Sequence, residues 1–113
     1  MTGEELRQMA LALPQVEEKL AWEVDITFRV RDKIFVVMGP DGGSASVKAT
    51  LEAQQALVSS EPEIYSVSHY TGRFGWTTIE LARVSADDIR ELVEDAWRRT
   101  APKKLVAAYD AGG

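Results

Sequence analysis

The chain has 113 residues, a net charge of −5, 45% hydrophobic and 27% charged residues, and no cysteine. Such a length makes one domain over residues 1–113, with enough apolar residues for a core, and the lack of cysteine excludes disulfides, thiolate nucleophiles and thiolate metal sites. No apolar run approaches the roughly 18 residues of a membrane span, and the first residues lack the basic start and apolar block of a secretory signal. A cytoplasmic, bacterial-type protein is the expected setting.

Charge is unevenly spread. Residues 1–27 hold six acids and two bases, whereas residues 28–50 hold Arg29, Arg31, Lys33 and Lys48 against Asp32 and Asp41. Arg98, Arg99, Lys103 and Lys104 form a second basic group. The acid excess opposes a strong grip on nucleic acid, which relies on Lys and Arg displacing counterions. The basic stretches are either solvated surface or a local field for an anionic partner.

In chain order, a first helix is predicted to start at Thr2, with Glu5 completing a capping box and Leu6, Met9, Ala10 and Leu13 making one apolar stripe. Pro14 ends it. The segment Val16-Glu17-Glu18 to Trp22 reads as an acidic turn and lead-in to a sheet. Asp25 to Val30 alternates as a strand, with Ile26, Phe28 and Val30 on one face. Arg31-Asp32-Lys33 is a tight turn. Ile34 to Met38 is apolar on both faces, so alternation leaves its register open. Gly39 to Gly43 is a loop, and Ser44 to Ala49 is a third strand of a meander. Thr50 caps a short helix to about Ser60, ended by Glu61-Pro62.

Ile64 to Tyr70 reads as a strand, Thr71-Gly72-Arg73-Phe74-Gly75 as a hairpin-type connection using glycine's positive φ, and Trp76 to Leu81 as another strand. Ser85 caps the best-specified helix. Asp87 and Asp88 lie in its first turn, Val84 can staple onto Ile89, and Arg98 and Arg99 lie in its last turn. Its apolar stripe is Ile89, Leu92, Val93, Ala96 and Trp97. Pro102 opens a final short helix with Leu105, Val106 and Tyr109 packing back, and Ala111-Gly112-Gly113 is expected to fray. The order implies an α+β domain, with one antiparallel sheet of about five strands and helices on one face.

The residues offer little chemistry. His69 stands alone, and no spacing of His, Asp and Glu converges on a metal, so no metal or other cofactor is expected. Glu4, Glu5, Glu17 and Glu18 read as a solvated acidic face. Asp87-Asp88 and Glu94-Asp95 are explained by capping and helix solubility rather than acid–base catalysis. Gly39-Pro40-Asp41-Gly42-Gly43 lacks the Lys-Ser/Thr of a phosphate loop, and no serine sits in a nucleophile elbow. An enzyme is not expected.

Two features point to binding. Alternation sets Trp76 opposite Ile79 and Leu81, hence on the open face of the sheet if those two face the helices. There it could stack a base or anchor a partner; burial under a loop is the other outcome. The turns Arg31-Asp32-Lys33 and Gly72-Arg73-Phe74-Gly75 resemble wings that reach phosphates, although basic hairpin tips also occur without purpose.

Leu11-Ala12-Leu13-Pro14-Gln15-Val16-Glu17-Glu18, Thr27-Phe28-Arg29-Val30 with Lys33-Ile34-Phe35, Gly72-Arg73-Phe74-Gly75-Trp76, and Asp95-Ala96-Trp97-Arg98 to Pro102-Lys103-Lys104-Leu105 together resemble the MmcQ/YjbR-like proteins. The resemblance spans nearly the whole chain. It implies a fold like that of bacterial frataxin (CyaY) and the family's proposed role, DNA binding through a double-wing arrangement; it does not carry iron binding with it. The candidate nucleic-acid-binding residues are then Arg29, Arg31, Lys33 and Arg73 at the wings, with Lys48 and Trp76 on the sheet. The alternative is a protein-interaction module on the open face around Trp76, sharing it with Ile34, Val36 and Met38. A weak metal or small-ligand binder is a third class.

Overall fold

The computed structural model describes residues 1–22 and 24–112. Helix α1 (Gly3–Leu11) precedes strands β1 (Val16–Ala21), β2 (Asp25–Val30), β3 (Lys33–Met38) and β4 (Ser44–Lys48). Helix α2 (Leu51–Ser60) leads to β5 (Tyr65–Val67), a 3-10 turn (Thr71–Phe74) and β6 (Trp76–Glu80); α3 (Ala86–Thr100) and α4 (Lys103–Gly112) complete the chain. The strands form one antiparallel sheet in the order β1-β2-β3-β4-β6-β5. The meander β2-β3-β4 is as expected, and α2 carries the chain past β6's place to the far edge.

The sheet has six strands rather than about five, because the segment read as an acidic turn is the edge strand β1. Its Glu17, Glu18, Lys19 and Leu20 are all exposed. Lying at an edge with solvent on both sides, it carries no apolar alternation by which it could be recognised. Charged side chains along such an edge also discourage pairing with other chains.

The core lies between the sheet and the helices. Phe28 and Val36 are cross-strand neighbours, Val36 faces Val47, and Ala45 faces Ile79, so these side chains share one face. Leu6 and Ala10 of α1 and Ile89, Val93, Ala96 and Trp97 of α3 are fully buried against that layer. Leu92, the remaining member of the α3 stripe, is half-buried. The register of β3 comes from a bulge. Phe28 pairs with Val36 but Arg29 pairs with Ile34, which leaves Phe35 as an extra residue. A bulge disturbs strict alternation, and Phe35 and Val36 are both fully buried.

Local signals set the helix starts. The Thr2 hydroxyl accepts from the Glu5 N–H at 3.1 Å, while the Glu5 carboxylate accepts from the Thr2 N–H at 2.9 Å. The Ser85 hydroxyl accepts from the Asp88 N–H at 3.1 Å. Alanine at position 111 and glycine at 112 continue α4 rather than fraying, and Gly113 lies outside the described residues.

Arg98 tethers α4 to α3. Its guanidinium donates to Asp110 at 2.6 and 2.9 Å and to Glu94 at 3.0 Å. The Arg98 hydrogen bonds hold the Asp110 carboxyl below its ordinary pKa. A depressed carboxyl contributes stability above its unfolded-state pKa and loses it as pH falls through the folded-state value. Asp110→Asn should therefore lower the melting temperature slightly at neutral pH and remove that part of the acid-side dependence. Parallel thermal melts of both proteins across acidic pH check this, and identical slopes would refute it.

Candidate nucleic-acid interface

The turn between β2 and β3 places Arg31 (φ 51°) and Asp32 (φ 66°) at its two central positions. Positive φ at both central residues is the type I′ geometry, whose twist matches that of the flanking strands. Neither residue is glycine, so neighbouring contacts must hold the turn. The Arg31 Nε donates to Gln15 Oε1 at 2.7 Å, and Lys19 Nζ donates to Asp32 Oδ1 at 3.3 Å.

The hairpin-type connection from β5 to β6 folds residues 71–74 into a 3-10 turn. Gly75 follows at φ 98°, and its N–H donates to the Gly72 carbonyl at 3.0 Å. Buried Gln54 of α2 clamps the connection from below. Its Nε2 donates to the carbonyls of Gly72 and Trp76 at 2.8 and 2.7 Å. The two ends of this connection are adjacent, since Val67 at the end of β5 lies opposite Thr77 and the Ser68 N–H donates to the Trp76 carbonyl at 3.1 Å.

These two connections lie at the same end of the sheet. Neighbouring strands are antiparallel throughout, so β2, β4 and β5 run in one direction and finish together. Three strand spacings separate the two turns, about 14 Å. Arg31, Lys33 and Arg73 therefore sit at one end, with Lys48 at the end of β4 and Arg29 one residue from the end of β2. Among the described residues, none of these five cations forms an ion pair with a carboxylate. Glu17 lies opposite Arg29 in the register but pairs with Lys19 at 3.6 Å. Arg29 Nε donates to Thr27 Oγ1 at 3.0 Å, and the Arg73 guanidinium lies 4.8 Å from the Phe74 ring centre.

Trp76 is half-buried on the open face, as the cross-strand partner of Lys48. Ile34 shares this face, but Val36 and Met38 do not. The Phe35 bulge turns both onto the helix side, where they are buried, and Val37 takes the open side instead. Trp76, Ile34 and Val37 line a depression of about 590 Å³ together with Trp22, His69 and Tyr70. The Ser46, Ser68 and Thr78 hydroxyls form a mutual triangle in its lining, at 3.1, 3.1 and 2.8 Å. Sequence reasoning missed Trp22, Tyr70 and this hydroxyl cluster. Exposed aromatics in turns have no periodic signature, and the triangle joins β4, β6 and the residue after β5. His69 is exposed, with its ring edge-on to Tyr70 at 4.2 Å.

The opposite side of the molecule is acidic. A larger groove of about 880 Å³ runs between α2 and α3, lined by Glu61, Asp87, Asp88, Glu91, Glu94 and Asp95 with two arginines. Among the described residues, no three His, Cys, Asp or Glu side chains converge in a metal-ligating group. The acids of this groove lie on the helix side, whereas the five cations without a carboxylate partner among the described residues lie at one end of the sheet, where Asp32 shares the turn of Arg31 and Lys33 and Glu17 lies opposite Arg29.

The fold is shared with Deinococcus radiodurans protein DR2400, a crystal structure of a DUF419 domain. The TM-score is 0.77 at 20% identity, covering 85% of this chain and 75% of that one. Such a likeness shows the fold alone. Uncharacterised proteins Rv2570 of Mycobacterium tuberculosis and Mb2600 of Mycobacterium bovis are each 29% identical over 93 residues, which is 80% of this chain and 72% of theirs. The YjbR family model matches residues 11–99. With most of its length matched in this way, the chain belongs to the YjbR family.

Proposed function

We propose that this protein is a non-enzymatic binder of nucleic acid, using the basic end of its sheet against phosphates. The observation that carries this reading is the grouping of Arg29, Arg31, Lys33, Lys48 and Arg73 at one end with no carboxylate partner among the described residues. Surface cations are commonly paired or dispersed; five without a carboxylate partner at one end of the sheet create a local positive field. The two turns, about 14 Å apart, can meet phosphates as a pair of points.

The net charge of −5 keeps such binding weak. Duplex DNA should be held in the non-specific range of about 10⁻⁴ to 10⁻⁶ M. Three or four phosphate contacts give a log–log salt slope near −3, and replacing Arg31 and Arg73 together by alanine should flatten it by about two units. A salt titration by fluorescence anisotropy measures both quantities. Absence of binding at low salt to duplex and single-stranded DNA alike would refute the proposal. The alternative, a protein partner docking on the open face, is supported by the exposure of Trp22 (71%) and Tyr70 (86%) and would then take its place.

A further inference from the structure

Tyr70 adopts a costly backbone geometry in return for no burial. Its φ of 64° and ψ of −50°, with the Thr71 N–H donating to the His69 carbonyl at 2.7 Å, define a three-residue γ-turn of the rare, strained hand. The ring it carries is 86% exposed. Trp22, with φ 52°, is likewise 71% exposed. Strain that wins no packing is characteristic of ligand sites, where it presets a side chain for what it will bind. Both rings line the depression on the open face, together with Trp76. At about 590 Å³ it lies within the roughly 300–1,000 Å³ of small-ligand sites.

The hydroxyl triangle indicates what kind of ligand fits. In a closed ring, Ser46, Ser68 and Thr78 each donate once and accept once, which leaves a lone pair on each oxygen. Any of the three can also rotate to donate outward. Such a cluster meets an edge of mixed donors and acceptors, while the aromatic rings meet flat π faces. Lys48 lies beside Trp76, and Arg29 beside Ile34, so cations border the same depression. Planar faces, mixed polar edges and an adjoining anion together describe a nucleotide.

We infer that the open face takes unpaired nucleobases, making the protein selective for single-stranded nucleic acid. Bases stack on Tyr70, Trp22 and Trp76 and direct their polar edges at the hydroxyl triangle, while phosphates lie on Arg29 and Lys48. This rests on the nucleic-acid reading above and specifies its substrate. A duplex hides its base faces within the stack and fills none of the depression.

The test compares three ligands of ten nucleotides per strand at one low salt concentration: oligothymidylate, an abasic oligomer with the same phosphates, and a duplex. Oligothymidylate should bind about five- to 150-fold more tightly than the abasic strand, the equivalent of stacking one base. Tyr70→Gly should erase most of that difference, whereas Tyr70→Phe should keep it. Because glycine accepts positive φ without strain, Tyr70→Gly should fold at least as stably as the parent, which separates a lost ring from a lost fold. Trp22→Ala should weaken oligothymidylate binding in the same direction. Equal binding of the oligothymidylate and abasic strands would overturn the base pocket and leave the phosphate reading standing. An oligothymidylate preference indifferent to Tyr70→Gly and Trp22→Ala would also overturn it, and failure of all three ligands to bind would overturn both readings.

Discussion

Gly75→Ala should be among the most destabilising single substitutions in this protein, costing about 4 kcal/mol or more. Gly75 has φ 98°, which an L-residue other than glycine adopts only under strain. A methyl group there would collide with the Ala49 carbonyl oxygen and lie 2.9 Å from its carbon and 3.2 Å from the Thr50 carbonyl carbon. Both neighbours are backbone and cannot rotate aside. The position is also a junction, since the Gly75 carbonyl accepts from the Ala49 N–H at 3.2 Å and the buried Thr77 hydroxyl at 3.0 Å. Against a total stability of about 5–15 kcal/mol, the loss would leave a marginal fold. Urea unfolding measures it, and a change within about 1 kcal/mol would show that the end of the sheet carrying Arg73 and Tyr70 yields readily.

Trp97→Ala should cost about 3–5 kcal/mol as a large-to-small core change. Trp97 is fully buried, its indole N–H donates to the Pro14 carbonyl at 3.1 Å, and its ring packs edge-on to Tyr109 at 5.1 Å. One side chain thus joins α3 to the segment between α1 and β1 and to α4. Trp97→Phe retains most of the volume but removes the N–H donor, so it should lose only about 1–3 kcal/mol. The two variants separate packing from hydrogen bonding in a single unfolding series. Equal losses would mean that the cavity contributes nothing beyond the missing hydrogen bond. Neither substitution touches the basic end, so the DNA binding proposed above should persist in the folded fraction.

Much of the architecture was legible in the amino-acid sequence because its causes are short-ranged. A capping hydroxyl acts within three residues, as Thr2 and Ser85 do, and an apolar stripe such as Ile89, Val93, Ala96 and Trp97 repeats with the turn of the helix itself. The meander was legible for the same reason, from alternation and turn residues. The residues of the basic end were legible as individual cations in turns or at the ends of strands. Their common location was not, because it follows from the direction of six strands paired across the whole chain.

The helices with their caps, the three-strand meander, the α+β class and the cations at or near the turns follow from neighbours a few residues apart. Long-range pairing alone makes β1 a strand, lets the Phe35 bulge send Val36 and Met38 to the helix side, and brings Trp22, Tyr70 and Trp76 into one depression with the Ser46, Ser68 and Thr78 hydroxyls. Each of these depends on pairing between distant segments, where a one-residue slip exchanges the two faces of a strand, and local composition carries no record of the register that pairing selects.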